Sequence, residues 1–224
     1  MPTYTELNRI GDWLRSELDQ NSRYARETIT ILAGSGSERA LKSGTILGKI
    51  ATGTASAAAF AGNTSGSGTV GTITVGAGAK VGDYKVVIIE PGTNAGKFTV
   101  EDPDGITVGV GTVAVAFSGG GLDFTISDAT DFVSGDGFTI TVAAGSGKYV
   151  ALDLSGTDGR QIAAGILALD ATAPDGSDVQ AAAILRSAVV VGEKLTYPSG
   201  ATTNQKNAAL AQLALLGIVN RAAA

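Results

Sequence analysis

Residues 137–142 read Gly-Phe-Thr-Ile-Thr-Val, with an apolar side chain at every second position. Successive side chains of a strand point to opposite faces, so this run specifies a β-strand with one buried and one solvated face. The same period recurs in GTITV (Gly71–Val75), YKVVII (Tyr84–Ile89), KFTVE (Lys97–Glu101) and DFTI (Asp123–Ile126). The links between these runs carry turn chemistry. In Asp102-Pro103-Asp104-Gly105 the proline presets one dihedral and the glycine accepts a positive one. KVGDYKV (Lys80–Val86) and VSGDGFTI (Val133–Ile140) each set Gly-Asp just before an aromatic strand, as a weak internal repeat or as two similar hairpins.

All these strands fall inside a segment of distinct composition, Thr52–Ser146. It holds all six phenylalanines (Phe60, Phe98, Phe117, Phe124, Phe132 and Phe138) and one leucine, Leu122. It carries three lysines, no arginine and nine acids, for a net charge of −6, whereas the rest of the chain stands at +1. Thr52-Gly53-Thr54 opens it and Ala144-Gly145-Ser146-Gly147 closes it. Such a shift predicts a separate folding unit inserted into a host domain. A structureless loop of this length would cost roughly 4 kcal/mol to close, and a unit whose own ends meet reduces that cost. The predicted insert is a small β-sandwich of immunoglobulin-like size.

The flanking parts differ. Leu7, Ile10, Leu14 and Leu18 recur at helical spacing, so a helix is predicted over Thr5–Leu18, with Thr3 and Glu6 as a capping box. Short strands are predicted at Thr28–Ala33, Gly44–Ile50, Tyr149–Leu152, within Ile162–Asp170, and at Ala182–Val191. A last helix starts near Thr202, where Thr202 and Gln205 form a second capping box. Ala209, Leu210, Leu213 and Leu216 give it an apolar stripe, and Gly217 is placed to end it.

The composition narrows the chemistry. The chain has 224 residues, with neither cysteine nor histidine. Thiolate nucleophiles, disulfides, imidazole bases and Cys/His metal sites are therefore excluded. The formal net charge is −5, and no basic surface suited to nucleic acid is expected. No apolar run is long enough to predict a membrane span, and the polar N-terminal stretch does not read as a secretory signal. Gly66-Ser67-Gly68-Thr69-Val70-Gly71 matches GxGxxG, but a β-alternating run follows where a dinucleotide site needs a helix. GTNAGK (Gly92–Lys97) is one spacer short of a phosphate loop, and Phe98 stands where a hydroxyl should hold magnesium. Asp102 and Asp104 resemble the start of a calcium loop, yet the distal glutamate is missing. Ser146 and Lys148 are near in sequence, which does not make an activated nucleophile. The reading is a protein without enzymatic chemistry and without cofactor or metal.

Outside the insert the chain resembles the phage lambda-type head decoration (capsid stabilisation) family. The resemblance runs in order through SRYARETITI (Ser22–Ile31), LKSGTILGKI (Leu41–Ile50), GKYVALD (Gly147–Asp153), TDGRQIAAGILALD (Thr157–Asp170), AAAILRSAVVVGEKLTYPSG (Ala181–Gly200) and the helix ending in LLGIV (Leu215–Val219). No one of these is diagnostic alone; their order and spacing carry the likeness. The insert departs from the minimal family pattern, and the N-terminal stretch is longer than the minimal arm.

The resemblance implies a mainly β fold. It comprises an N-terminal arm over 1–27, a small β-tulip-like decoration domain over 28–51 and 147–224 with a short C-terminal helix, and the insert over 52–146. It also implies a structural virion protein, assembled in the host cytoplasm. Such a protein sits as homotrimers on the outer surface of the expanded capsid and resists DNA pressure, with the major capsid protein as its partner. The arm would dock on the coat by adding a strand, with Ser22, Arg23, Tyr24, Arg26, Thr28 and Thr30 in the strand-adding piece. Arg23 and Arg26 would pair with coat carboxylates. Leu7, Ile10, Trp13 and Leu14 would pack on the coat or on a neighbouring subunit, unless that stripe simply covers the protein's own sheet. A second reading makes the insert an adhesion module for a host-surface glycan or protein.

Overall fold

The computed structural model describes residues 9–18, 24–64, 68–93, 95–128 and 130–221. The fold is mainly β, and the chain divides into two compact units, Met1–Ile50 with Gly147–Ala224, and Ala51–Ser146. None of the described helices is long and apolar enough to cross a membrane.

The first unit is built on a closed barrel. Around it run Tyr149–Ala151, Arg26–Ile31, Val179–Ile184, Ala163–Leu167 and Ile46–Lys49, the last pairing back to the first. Neighbouring residues on these strands belong to different apolar clusters. Ile46, Ile166 and Ile184 join one; Leu47, Leu167 and Ala183 join the other. Consecutive side chains point to opposite faces, so both faces of the barrel wall are buried. That is why these strands read as short continuous apolar runs rather than as alternation.

The first cluster is completed by elements outside the barrel. The helix Thr203–Leu215 contributes Ala209 and Leu213, and a three-stranded sheet of Leu14–Glu17, Ala188–Val190 and Ile218–Asn220 contributes Ala188, Val190 and Ile218. The Thr202 hydroxyl accepts from the Gln205 amide, and the Gln205 side chain accepts from the Thr202 amide in return, so both halves of the predicted capping box form. Gly217 follows the helix at φ 75°, the left-handed conformation that glycine enters without a side-chain penalty.

Two predictions for this unit need correction. Within the described residues, the helix expected over Thr5–Leu18 is a single turn, Ile10–Trp13, followed by the strand Leu14–Glu17; Thr3, Thr5, Glu6 and Leu7 lie outside the described residues. Gly11 lowers helix propensity inside the turn, and the backbone beyond it is satisfied by pairing Leu14 with Val190 and Glu17 with Ala188. The predicted strand Ala182–Val191 is two strands, Val179–Ile184 in the barrel and Ala188–Val190 in the other sheet. Ser187, at φ 50°, turns the chain between them.

In the second unit an antiparallel five-stranded sheet runs Thr107–Thr112, Lys97–Glu101, Gly82–Glu90, Gly137–Ala144, Thr52–Ala59. Its inner face carries Tyr84, Val86, Ile88, Phe98, Val100, Phe138, Ile140 and Val142. These pack with Phe117, Leu122, Phe124 and Ile126 from the smaller sheets, Phe117–Gly119 with Leu122–Phe124 and Thr74–Val75, and Ile126–Asp128 with Gly68–Val70. Phe98, Phe117 and Phe124 form a ring cluster with centroids 5.1–6.0 Å apart, the separation at which tilted and offset rings attract. The unit's ends meet, because Ala144 registers with Thr52 and the Gly145 amide donates to the Ala51 carbonyl. The Asp102–Gly105 turn forms as read, with Gly105 at φ 78° and its amide on the Asp102 carbonyl.

Candidate functional site

Among the described residues, the acidic side chains singled out for chemistry, Asp102 and Asp104, are held in an ion pair. The Lys80 ammonium lies 2.5 Å from Asp102 and 2.6 Å from Asp104, in the place a cation would take between these carboxylates. It holds the Asp102 carboxyl below its usual range, helped by the Ile106 and Asp104 amides. Gly92–Lys97 is the link between two paired strands, with Glu90 in register with Lys97; Asn94 lies outside the described residues. Gly66 and Ser67 also lie outside them, and Gly68–Val70 is a strand. No group of three acids suited to a metal occurs among the described residues.

The arm residues divide into three sets. Leu7, Ser22 and Arg23 lie outside the described residues. Ile10, Trp13 and Leu14 pack on the protein's own domain. Trp13 is fully buried among Ile46, Ile166, Leu195 and Leu213, with Ile10 and Leu14 half-buried against the same cluster. Of the apolar residues that suggested a docking helix, Ile10, Trp13 and Leu14 therefore belong to the domain core, whereas Leu18 is exposed.

Tyr24, Arg26, Thr28 and Thr30 remain on the surface or close to it. The Arg186 guanidinium sits 5.4 Å from the Tyr24 ring centroid, donates to the Tyr24 carbonyl at 3.1 Å, and pairs with Glu27. Arg26 grips its own Glu17 through two nitrogens at 2.6–3.0 Å, so this guanidinium is not a free partner for an outside carboxylate. The Thr30 hydroxyl accepts from Gln180 at 2.9 Å, and Thr28 is exposed. The exposed Arg186–Glu27 pair is worth about 0–1 kcal/mol, whereas the Glu17 side chain that Arg26 holds is buried.

The backbone is more informative than the side chains. Arg26–Ile31 pairs along its whole length with Val179–Ile184, from Arg26 opposite Ile184 to Ile31 opposite Val179. On its other side the barrel is closed by one register pair, Ile31 with Tyr149, and by the Leu32 amide on the Tyr149 carbonyl. Residues 26–30 thus present a strand edge with no strand partner among the described residues. Sequence reading chose this segment for its family likeness; the open edge depends on where the parallel partner begins, which no local pattern encodes.

Beside it, Ser16–Leu18, Ser187–Val189, Gly217 and Val219 line an open cleft of about 380 Å³. Leu18 and Val219 are exposed there. In the insert the aromatic rings face inward: Tyr84, Phe98, Phe117, Phe124, Phe132 and Phe138 are buried, and Phe60 is half-buried.

The sequence matches no curated protein. Among solved structures it is similar to FlgL of Xanthomonas campestris, at 25% identity over 45% of this chain and 33% of that one, with a TM-score of 0.33. The flagellar junction protein FlgL from Legionella pneumophila is 14% identical over 46% of this chain and 38% of that one, with a TM-score of 0.34. The chain spans about a third of the length of these flagellar proteins, and similarity at this level says nothing of its role. The family model named Bacteriophage lambda head decoration protein D matches residues 3–218. With nearly the whole length matched, the chain belongs to the bacteriophage lambda head decoration protein D family, whose role is structural and tied to the phage capsid.

Proposed function

We propose that the protein binds the outside of the expanded capsid as homotrimers at threefold and quasi-threefold positions, with the major capsid protein as its partner, and stabilises the shell against the pressure of packaged DNA. The observation that carries this reading is the open edge at residues 26–30. An edge offers main-chain donors and acceptors to an added strand, so a coat segment pairs there without any special side chain. Three such edges on one trimer act at high effective concentration, which turns a weak single contact into a persistent one. The insert is read as a sandwich displayed on the virion exterior, where its acidic surface keeps it soluble. The burial of its aromatic rings favours this reading over glycan adhesion, because sugar recognition by stacking needs an exposed ring face.

Cosedimentation of the purified chain with expanded, undecorated heads, followed by imaging, tests the proposal. Saturable binding with density at the threefold positions is expected. Failure of the intact chain to bind competent heads overturns it.

A further inference from the structure

The open edge at residues 26–30 does not stop at Arg26 but runs into the apolar cleft beside it. One stretch of chain holds both. Arg26 registers with Ile184, the Ala25 carbonyl accepts from the Leu185 amide, the Leu18 amide donates to the Ser187 carbonyl, and Glu17 registers with Ala188. Edge and cleft therefore follow one another along residues 184–188. Glu17 lines the cleft and grips Arg26 across the junction at 2.6 Å.

The cleft is also where the exposed apolar surface of the first unit collects. Ser16, Val189 and Val219 stand abreast on three paired strands. The Ser187 amide donates to the Leu216 carbonyl, and Arg186 lies over the Tyr24 ring. Eight large apolar side chains are exposed among the described residues of this unit. Five of them, Leu18, Tyr24, Leu215, Leu216 and Val219, belong to these few linked positions or directly adjoin them; the others are Leu154, Ile162 and Leu169. Apolar side chains exposed singly need no explanation, whereas a gathering of them marks a contact surface.

The position of the cleft identifies its occupant. A segment paired with the edge and continuing past Arg26 has the span from Ile184 to Ser187 to cover, about 10 Å at roughly 3.3 Å per residue. Strand addition supplies affinity through the main chain, and adjoining pockets supply specificity through side chains. The segment on the edge is thus the segment that reaches the cleft. Around a threefold axis each copy meets the next through two different surfaces, so the edge of one copy does not pair with the same edge of its neighbour.

We propose that the cleft at Leu18 and Val219 is the specificity pocket of the capsid-binding edge. It takes one large apolar side chain of the coat segment, about three or four residues beyond the residue paired with Arg26. This inference rests on the reading that the edge binds the coat.

The chain has no cysteine, so full-length Leu18→Cys takes a benzophenone maleimide at one position only. Illuminated on expanded heads, it is expected to cross-link to the major capsid protein. Cross-linking to a second copy of the chain, or no adduct with the coat, overturns the inference. Leu18→Ser and Val219→Ser are each expected to bind the heads about tenfold more weakly than the wild type. Leu169→Ser, exposed outside the cleft lining, is expected to bind like the wild type. Wild-type affinity in both cleft variants overturns the inference alone, whereas failure of the wild type itself to bind overturns the capsid reading and this inference with it. Circular dichroism checks that each variant is folded, and the two cleft variants stand in for one another if either is not.

Discussion

Trp13 donates its indole N–H to the Ser43 hydroxyl at 3.0 Å, and the Ser43 hydroxyl donates in turn to the Ala168 carbonyl at 2.8 Å. This relay ties the N-terminal segment to the barrel at two points far along the chain. Trp13 is the only tryptophan, and it is fully buried. Trp13→Ala is expected to destabilise the first unit by about 3–5 kcal/mol. Trp13→Phe keeps most of the volume, loses the hydrogen bond, and should cost about 1–3 kcal/mol. Urea unfolding followed by circular dichroism measures both, and a loss below 1 kcal/mol for the alanine variant contradicts the packing described.

The Lys80 bridge makes a signed pH prediction. Asp102 is held below its ordinary range chiefly by Lys80. Its contribution to stability is complete above about pH 4 and is lost as pH falls through the depressed value. Lys80 is raised above its ordinary value by Asp102 and then Asp104, so its contribution holds below about pH 10 and is lost as pH rises through the raised value. Asp102→Asn keeps an acceptor for the Asp104 and Ile106 amides while removing the charge. Its urea midpoint should fall less in acid than that of the wild type, and Lys80→Met should flatten the acid limb in the same way. Parallel acid limbs in all three proteins would count against the bridge.

Two glycines should respond to alanine in opposite directions. A Cβ on Gly48 would meet the Arg160 backbone, which has no flexible end to move aside. Gly48→Ala is therefore expected to cost about 1–3 kcal/mol by overpacking. Gly11 lies in the single turn Ile10–Trp13 with open space around it, and Gly11→Ala should stabilise by about 0.5–1 kcal/mol. Thermal melts of the two variants test the pair.

Thr202→Ala removes the hydroxyl that accepts from the Gln205 amide. A loss of about 1 kcal/mol is expected, with Thr202→Ser close to wild type. Denaturant midpoints decide between them.

Replacing Ala51–Ser146 by Asn-Gly should leave the first unit folded. Lys49 already registers antiparallel with Tyr149, the Ile50 amide donates to the Lys148 carbonyl, and the Gly147 amide donates to the Ile50 carbonyl. A two-residue turn completes such a hairpin. Retention of blue-shifted Trp13 emission is the expected result; emission at the wavelength of an exposed indole would show that the unit needs its insert.

The sequence was legible where a local pattern coincides with a local cause. Lys97–Glu101 is a strand at the bounds its alternation gives, and the Thr202 capping box and the Asp102–Gly105 turn form from residues three apart. Thr52–Ala59 was not legible, since a run of alanine, serine and threonine has no buried stripe, and pairing with Gly137–Ala144 makes it a strand. Thr107–Thr112 was hidden by Gly109 and Gly111, whose missing side chains make room for the Phe98 and Phe117 rings. The Thr5–Leu18 helix was misread because Ile10 and Leu14 meet helical spacing, while the residues that they and Trp13 pack against, from Ile46 to Ile218, are spread along the domain. The candidate surface shared that fate: the residues could be chosen from the sequence, but the acid that holds Arg26 and the edge left open beside it are tertiary facts.

The meeting of Thr52 with Ala144 also sets a clock. Lys49 and Tyr149 must pair to close the barrel, and the entire Ala51–Ser146 unit separates them in the chain. Contacts between residues so far apart form slowly when the intervening chain is a coil. Once the insert has folded, its two ends lie side by side and the long separation shrinks to that of a hairpin. The topology therefore predicts that the insert folds first and the barrel after it. A mutation that slows only the insert will delay a barrel whose own interactions are untouched.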